Sequence, residues 1–336
     1  MYNTVPNFGD VLNNHLWNPY LGEFLNRDDD ILMMGIGTLL GHNKSHDGKV
    51  IVCGSGSGYG GDFNQMRHED WKVFFVRGPK TAKLLELPPQ KAITDPAILT
   101  PEVFPPSPKT GKIIFVPHWE TAGNPLWKSA CEHAGIEYVD PLGNLTEVLR
   151  TISGAKLVIA EAMHAAIIAD SYRVPWVSVS TSRRINGFKW EDWTLSMEMD
   201  HEFNKLSPLG LSTHALNLST GRASIFSSQK SKSPKSQENQ NSALNRRIKS
   251  SYKKLVPIKT HDKILRAFTF SSFTLDRVVN RILKTGLYNR YFDRTVNELK
   301  LLSQKNGMLS DDKVLIKKTK ELKEKLEEVR QYLERH

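Results

Sequence analysis

Over roughly the first 200 residues, apolar runs alternate with amphipathic ones. The strand-like runs are DILMMGIG (30–37), VIVCGSG (50–56), VFFVRG (73–78), AITDPA (92–97), KIIFVPH (112–118), IEYVDP (136–141), LVIAEA (157–162) and VPWVSVS (174–180). Between them the apolar spacing predicts helices over 79–86, 124–134, 144–153 and 164–172. Continuous apolar strands separated by helices make parallel sheets covered on both faces. The expected class is therefore α/β. The Pro-rich break LTPEVFPPSPKTG (99–111) divides the pattern into two such units, residues 1–105 and 106–210.

Near Leu211 the pattern changes. SSQKSKSPKSQENQNS (227–242) holds few residues able to bury, and residues 211–260 read as a flexible basic linker. Helical spacing returns over 261–336, which reads as a helical C-terminal extension. Its last part, SDDKVLIKKTKELKEKLEEVRQYLERH, is the plainest helix of the chain. Ser310 is placed to cap it, with Asp311 and Asp312 at the positive end of the dipole. Leu315, Thr319, Leu322, Leu326, Val329 and Leu333 form a coiled-coil-like seam, suited either to packing back on the chain or to a homo-oligomer.

The net charge of +10 is local. Nine Lys or Arg and one acid, Glu238, lie between Lys230 and Lys259, so this stretch carries +8 of the total. Such a segment suits peripheral contact with an anionic membrane surface, or simply a solvated linker, and no feature points to nucleic acid. No apolar window is long enough for a transmembrane helix, and MYNTVPNFGD lacks the charged and apolar regions of a secretory signal. Two cysteines, Cys53 and Cys131, make neither a disulfide framework nor a cysteine-rich zinc site. A cytoplasmic protein without a metal or other cofactor is expected.

The chemistry-bearing residues gather where strands end, which is where ligands bind in open α/β sheets. NFGDVLN (7–13) sets Gly9 and Asp10 before a helix-like run, and GSGSGYGG (54–61) brings Gly54, Gly56 and Gly58 after a strand. Backbone amides in such turns can approach an anion closely, although neither the Walker nor the dinucleotide spacing is present. Arg77 ends its strand and suits either anion binding or an ion pair with a structural acid; its place on the rim of the glycine turns favours the first. Asp95 is placed to cap the following turn or to orient a substrate hydroxyl. His118 ends another strand, and Glu161 and His164 flank the strand-to-helix turn of the second unit. A carboxylate and an imidazole so placed suit proton transfer near neutral pH, or else a helix cap and a satisfied core histidine.

Taken in order, NFGD-LN, GIGT-L, GSGSGYG, VRGP-TA-LL, TDPA-L, VPH-E, AEAMHAAIIAD--RVPW and FKWEDW resemble the polysaccharide pyruvyl transferases over residues 3 to about 200. The resemblance implies two Rossmann-like domains in a glycosyltransferase-B-like arrangement. It also implies transfer of pyruvate from phosphoenolpyruvate to two hydroxyls of a lipid-linked sugar, giving a cyclic ketal in bacterial exopolysaccharide biosynthesis. Arg77 then matches the family's donor-binding arginine and His164 its catalytic histidine. Glu161 would tune His164, with Asp95 and His118 as secondary acid–base candidates. Ala162 stands where many relatives carry an arginine, so Arg183 or Arg184 is expected to supply that cation. The alternatives are a nucleotide-sugar glycosyltransferase of the same fold and a non-catalytic polysaccharide-binding relative.

Overall fold

The computed structural model describes residues 7–25, 31–41, 48–58, 71–182, 185–207, 209 and 286–335. The linker expected over 211–260 lies outside the described residues, as do Arg183 and Arg184. Asn7 opens the fold as a cap, its side-chain oxygen accepting from the backbone of Gly9 (3.0 Å) and Asp10 (3.2 Å). Three short helices follow: α1 (Phe8–Val11), α2 (Asn13–Leu16) and α3 (Asn18–Leu25). Phe8, Leu12, Leu16, Leu21 and Phe24 are buried along them. The Asn13 amide binds both the N–H and the C=O of Ile36, at 2.8 and 3.0 Å, and so ties these helices to the end of the first strand.

The first sheet is parallel, in the order β1 (Ile31–Met34), β2 (Lys49–Cys53), β3 (Trp71–Phe75), with α4 (Pro79–Leu84) after it. Where a strand is expected over 92–97, only Ala92 bridges to Val76, and Pro96–Leu99 form a 3₁₀ turn. The reason is local. Pro96 has no N–H for a ladder but suits the first turn of a helix, and Asp95 caps that turn by accepting from Ala97 N–H at 3.0 Å. Then comes α5 (Thr100–Val103).

The second sheet holds β4 (Ile113–Val116), β5 (Glu137–Tyr138), β6 (Leu157–Ala160), β7 (Trp176–Ser180) and β8 (Asn204–Lys205), in the parallel order β5-β4-β6-β7-β8. Its helices are α6 (Trp119–Ala122), α7 (Leu126–Ala134), α8 (Leu145–Gly154), α9 (Met163–Ser171) and α10 (Gly187–Ser196). All four residues of β6 are buried, as a strand covered on both faces requires. One apolar cluster joins the two sheets: Phe75 and Ile98 from the first unit share it with Val158, Ala160 and Ile167 from the second. The helix α10 also packs on α4.

Among the described residues two further helices follow, α11 (Gly286–Ser303) and α12 (Asp312–Arg335). Val296, Leu299 and Leu302 of α11 pack with Leu126, Trp127 and Cys131. At Gly307, φ is +75° and a Cβ would lie 2.8 Å from Leu157 Cδ1, so glycine alone fits the turn that pairs Met308 with Trp176. Ser310, expected to cap the last helix, instead donates from its backbone N–H and its hydroxyl to buried Asp170, at 2.8 and 2.5 Å. Asp311 is the residue that caps, accepting from Lys313 N–H at 2.8 Å. The seam packs inward, with Leu322, Leu326, Val329 and Leu333 buried against α3, β3 and the 3₁₀ turn. Each such side chain contributes roughly 1.5–3 kcal/mol. No helix among the described residues is long and apolar enough to cross a membrane.

Candidate active site

His164 stands in the first turn of α9, just past the end of β6. Its ring lies against Gly9, where a Cβ would come within 2.1 Å of His164 Nδ1 and 2.6 Å of Cγ. Glycine in NFGD therefore gives the imidazole its place. On the ring's other nitrogen, Nε2 lies 3.7 Å from Asp95 Oδ2. Both of these atoms are buried and neither makes a hydrogen bond. Asp95 itself is fully buried and is fixed through Oδ1 by the cap on Ala97.

Asp10, next to Gly9, accepts a hydrogen bond from Asn7 Nδ2 at 2.7 Å. Burial pushes its carboxyl above the usual carboxylate range, and the charges of His164 and Lys189 oppose this only in part. Lys189 comes from the first turn of α10, and its stem covers Gly58, whose Cβ would lie 2.8 Å from Lys189 Cγ. The Asn186 amide donates to Gly58 C=O and its oxygen caps α10 by accepting from Phe188 N–H at 3.1 Å. Thus α1, the 3₁₀ turn, α9 and α10 bring Asp10, Asp95, His164 and Lys189 to one rim. Lys189 and Asn186 are not among the residues expected from the sequence, where the arginines beside FKWEDW stand out instead. A usable signal was there: a lysine in the first turn of a helix opposes the dipole and calls for a reason.

Two of the expected residues make their contacts away from His164. The carboxylate that faces His164 is Asp95, not Glu161. Glu161 is fully buried and accepts from His118 N–H (2.9 Å), Thr181 N–H (3.1 Å) and the Thr181 and Thr121 hydroxyls. It ties the loops after β4 and β7 together beneath β6. Burial raises its pKa, and these hydrogen bonds hold it down in part. Arg77 is likewise fully buried. Its Nε meets Asp192 Oδ2 at 3.0 Å, Nη1 donates to the Thr38 hydroxyl at 3.0 Å and Nη2 to Ser57 C=O at 2.7 Å. Of the two roles open to it from the sequence, this geometry matches the structural ion pair. The guanidinium fork finds its acceptors inside the fold.

The remaining candidates are placed as follows. Gly56 lies over Arg77, where a Cβ would be 2.2 Å from Cζ, and Gly54 lies over Pro96. His118 caps α6 through Nδ1, which accepts from Glu120 N–H at 3.4 Å, and it reaches Glu161 through its backbone. Cys53 and Cys131 are buried free thiols; burial raises both, the second to about 12. Among the described residues no group of three or more His, Cys, Asp or Glu could hold a metal ion. A cavity of about 660 Å³ opens elsewhere, between Asp200–Glu202 and the turn around Gly307, and none of the candidate residues lines it. Its His201 stacks on Trp190 at 5.3 Å, and burial lowers its pKa to about 4.

The chain is thus an α/β protein with parallel sheets that gathers two carboxylates, an imidazole and an ammonium. The family description "Polysaccharide pyruvyl transferase" matches residues 7–183, more than half of the 336, and the chain belongs to that family. A curated relative is the Succinoglycan biosynthesis protein ExoV of Rhizobium meliloti (strain 1021), 41% identical over 196 residues. The matched part is 57% of this chain and 61% of that relative, so the chain spans about three fifths of the relative's length. No solved structure matches.

Proposed function

We propose that the chain transfers pyruvate from phosphoenolpyruvate to two hydroxyls of one sugar, closing a cyclic ketal during exopolysaccharide assembly. The observation that carries this reading is that the family match over 7–183 contains Gly9, Asp10, Asp95 and His164, the residues that meet at one rim. The relative named for succinoglycan biosynthesis supports a polysaccharide acceptor. The two sheets are read as the halves of a glycosyltransferase-B-like arrangement, with the site where their strand ends meet. The basic stretch from Lys230 to Lys259 is read as peripheral contact with an anionic membrane that carries a lipid-linked acceptor.

In this scheme protonated His164 delivers its proton to the methylene carbon of the donor, leaving an oxocarbenium-like C2. A sugar hydroxyl oxygen adds to C2 and gives up its proton toward Asp10. The C2–O bond to phosphate then breaks, and the second hydroxyl adds to close the ring. The proton taken up by Asp10 passes on to the departing phosphate, and the proton of the second hydroxyl restores His164. The donor's carboxylate and phosphate call for cations and backbone amides. Lys189, which lies over Gly58, is proposed for this together with the turn at Gly58, and Arg183 and Arg184, next after β7 in sequence, are proposed as further cations. The experiment is phosphate release from phosphoenolpyruvate with a lipid-linked sugar, beside thermal shifts with phosphoenolpyruvate and with nucleotide sugars. Stabilisation and turnover with phosphoenolpyruvate support the reading. A shift with nucleotide sugars alone overturns it in favour of a glycosyltransferase, and acceptor binding without phosphate release overturns it in favour of a binding protein.

A further inference from the structure

We propose that Asp95 is a positioning residue for His164: its unbonded carboxylate oxygen holds the imidazole in the Nε2–H tautomer, leaving Nδ1 as the nitrogen that exchanges a proton with substrate. The proposal rests on His164 as the acid–base group and specifies which atom of it works. Asp95 Oδ2 and His164 Nε2 are both buried, both without a hydrogen bond, and 3.7 Å apart. Two adjacent buried polar groups left unmade each cost stability, and each is the other's nearest remedy. An ionised carboxylate only accepts, so the proton between them belongs on Nε2. Hydrogen bonds of this kind are commonly long before substrate arrives and tighten afterwards.

Asp95 is suited to the task because it cannot swing away. Its Oδ1 accepts from Ala97 N–H at 3.0 Å, and the 3₁₀ turn it caps packs directly on α9, the helix that carries His164. The ring is held from the opposite side by Gly9, whose missing Cβ lets Nδ1 and Cγ pack close to its backbone. Since Nε2 is buried, the 13% of the His164 side chain that remains exposed lies on its other atoms. Asp10 and Lys189 act from that rim.

A cap alone would also explain Asp95, and the substitution Asp95→Asn separates the two roles. Asn caps helices as well as Asp does and has nearly its shape, but with its oxygen on Ala97 N–H its amide presents a donor to Nε2. The tautomer of neutral His164 is read by ¹⁵N–¹H correlation at about pH 8, without substrate, its signals assigned by their loss in His164→Gln. The expected result is Nε2–H in the native chain and loss of that preference in Asp95→Asn. Turnover should fall about 100-fold or more with the donor KM within about threefold, as expected when a catalytic imidazole loses its orienting carboxylate. An unchanged tautomer with near-native turnover in Asp95→Asn would overturn the proposal and leave Asp95 a cap. Should Asp95→Asn not fold, Asp95→Ser, which also caps, carries the same comparison. The tautomer is measured without turnover, so failure of pyruvyl transfer itself is recognised separately.

Discussion

Arg77–Asp192 and Asp95–His164 are both buried pairs of basic and acidic side chains at strand ends, yet they are completed to different degrees. Around Arg77 the guanidinium has three acceptors, and Asp192 accepts in addition from Thr81 N–H (2.8 Å) and the Thr81 hydroxyl (2.6 Å). Around His164 the pair stops at 3.7 Å with both facing atoms unbonded. Buried polar groups are normally satisfied, so the closed pair is complete in itself, whereas the open one fits the acid–base role proposed for His164. The closed pair also joins the glycine turns after β1 and β2 to α10, which places Lys189 over Gly58.

The comparison breaks first at Arg77. Arg77→Ala leaves Asp192 buried without its cation, and the expected loss is roughly 3–5 kcal/mol in urea unfolding, since breaking a buried pair strands the other charge. A loss of donor affinity at unchanged stability would instead return Arg77 to the anion-binding role. The next test is Lys189→Met, which keeps the apolar stem over Gly58 and removes the charge. The donor KM should rise about tenfold, the order of one charge-assisted hydrogen bond, with unfolding unchanged. Arg183→Ala and Arg184→Ala, measured alongside, show how that grip is shared.

The smallest effect concerns Asp10. Its folded-state pKa lies above the ordinary value of 3.8 because burial penalises the carboxylate. A raised carboxyl contributes stability that is whole below pH 3.8 and is lost as pH rises through the raised value. Asp10→Asn should therefore be more stable than the native chain at neutral pH. The difference should shrink as pH falls toward 3.8, a trend that urea midpoints across pH would record.

Much of the frame was legible in the residues. The run Leu157–Ala160 is apolar throughout and lies buried in the middle of its sheet, and the seam of α12 was visible in its spacing. The run at 92–97 misled because its apolar residues suggest a strand while Pro96 forbids the ladder. The helix α10 escaped because Phe188, Trp190 and Trp193 are all buried, so it has little apolar stripe to read. The site was half legible. Residue types at strand ends pointed to His164 and Asp95, but which carboxylate faces the imidazole depends on side-chain direction across distant elements. Glu161, three residues away in sequence, turns to Thr181 and His118, and Arg77 finds Asp192, 115 residues on. Such pairings are set by packing, and periodicity carries no trace of them.

The acid–base role proposed for His164 is tested most directly by His164→Ala, assayed for phosphate release from phosphoenolpyruvate with a lipid-linked sugar and for its urea midpoint in the same preparation. It predicts turnover lower by about 10²–10⁴-fold, the span of a general acid–base group, at a midpoint near that of the native chain. Near-native turnover in His164→Ala would contradict it.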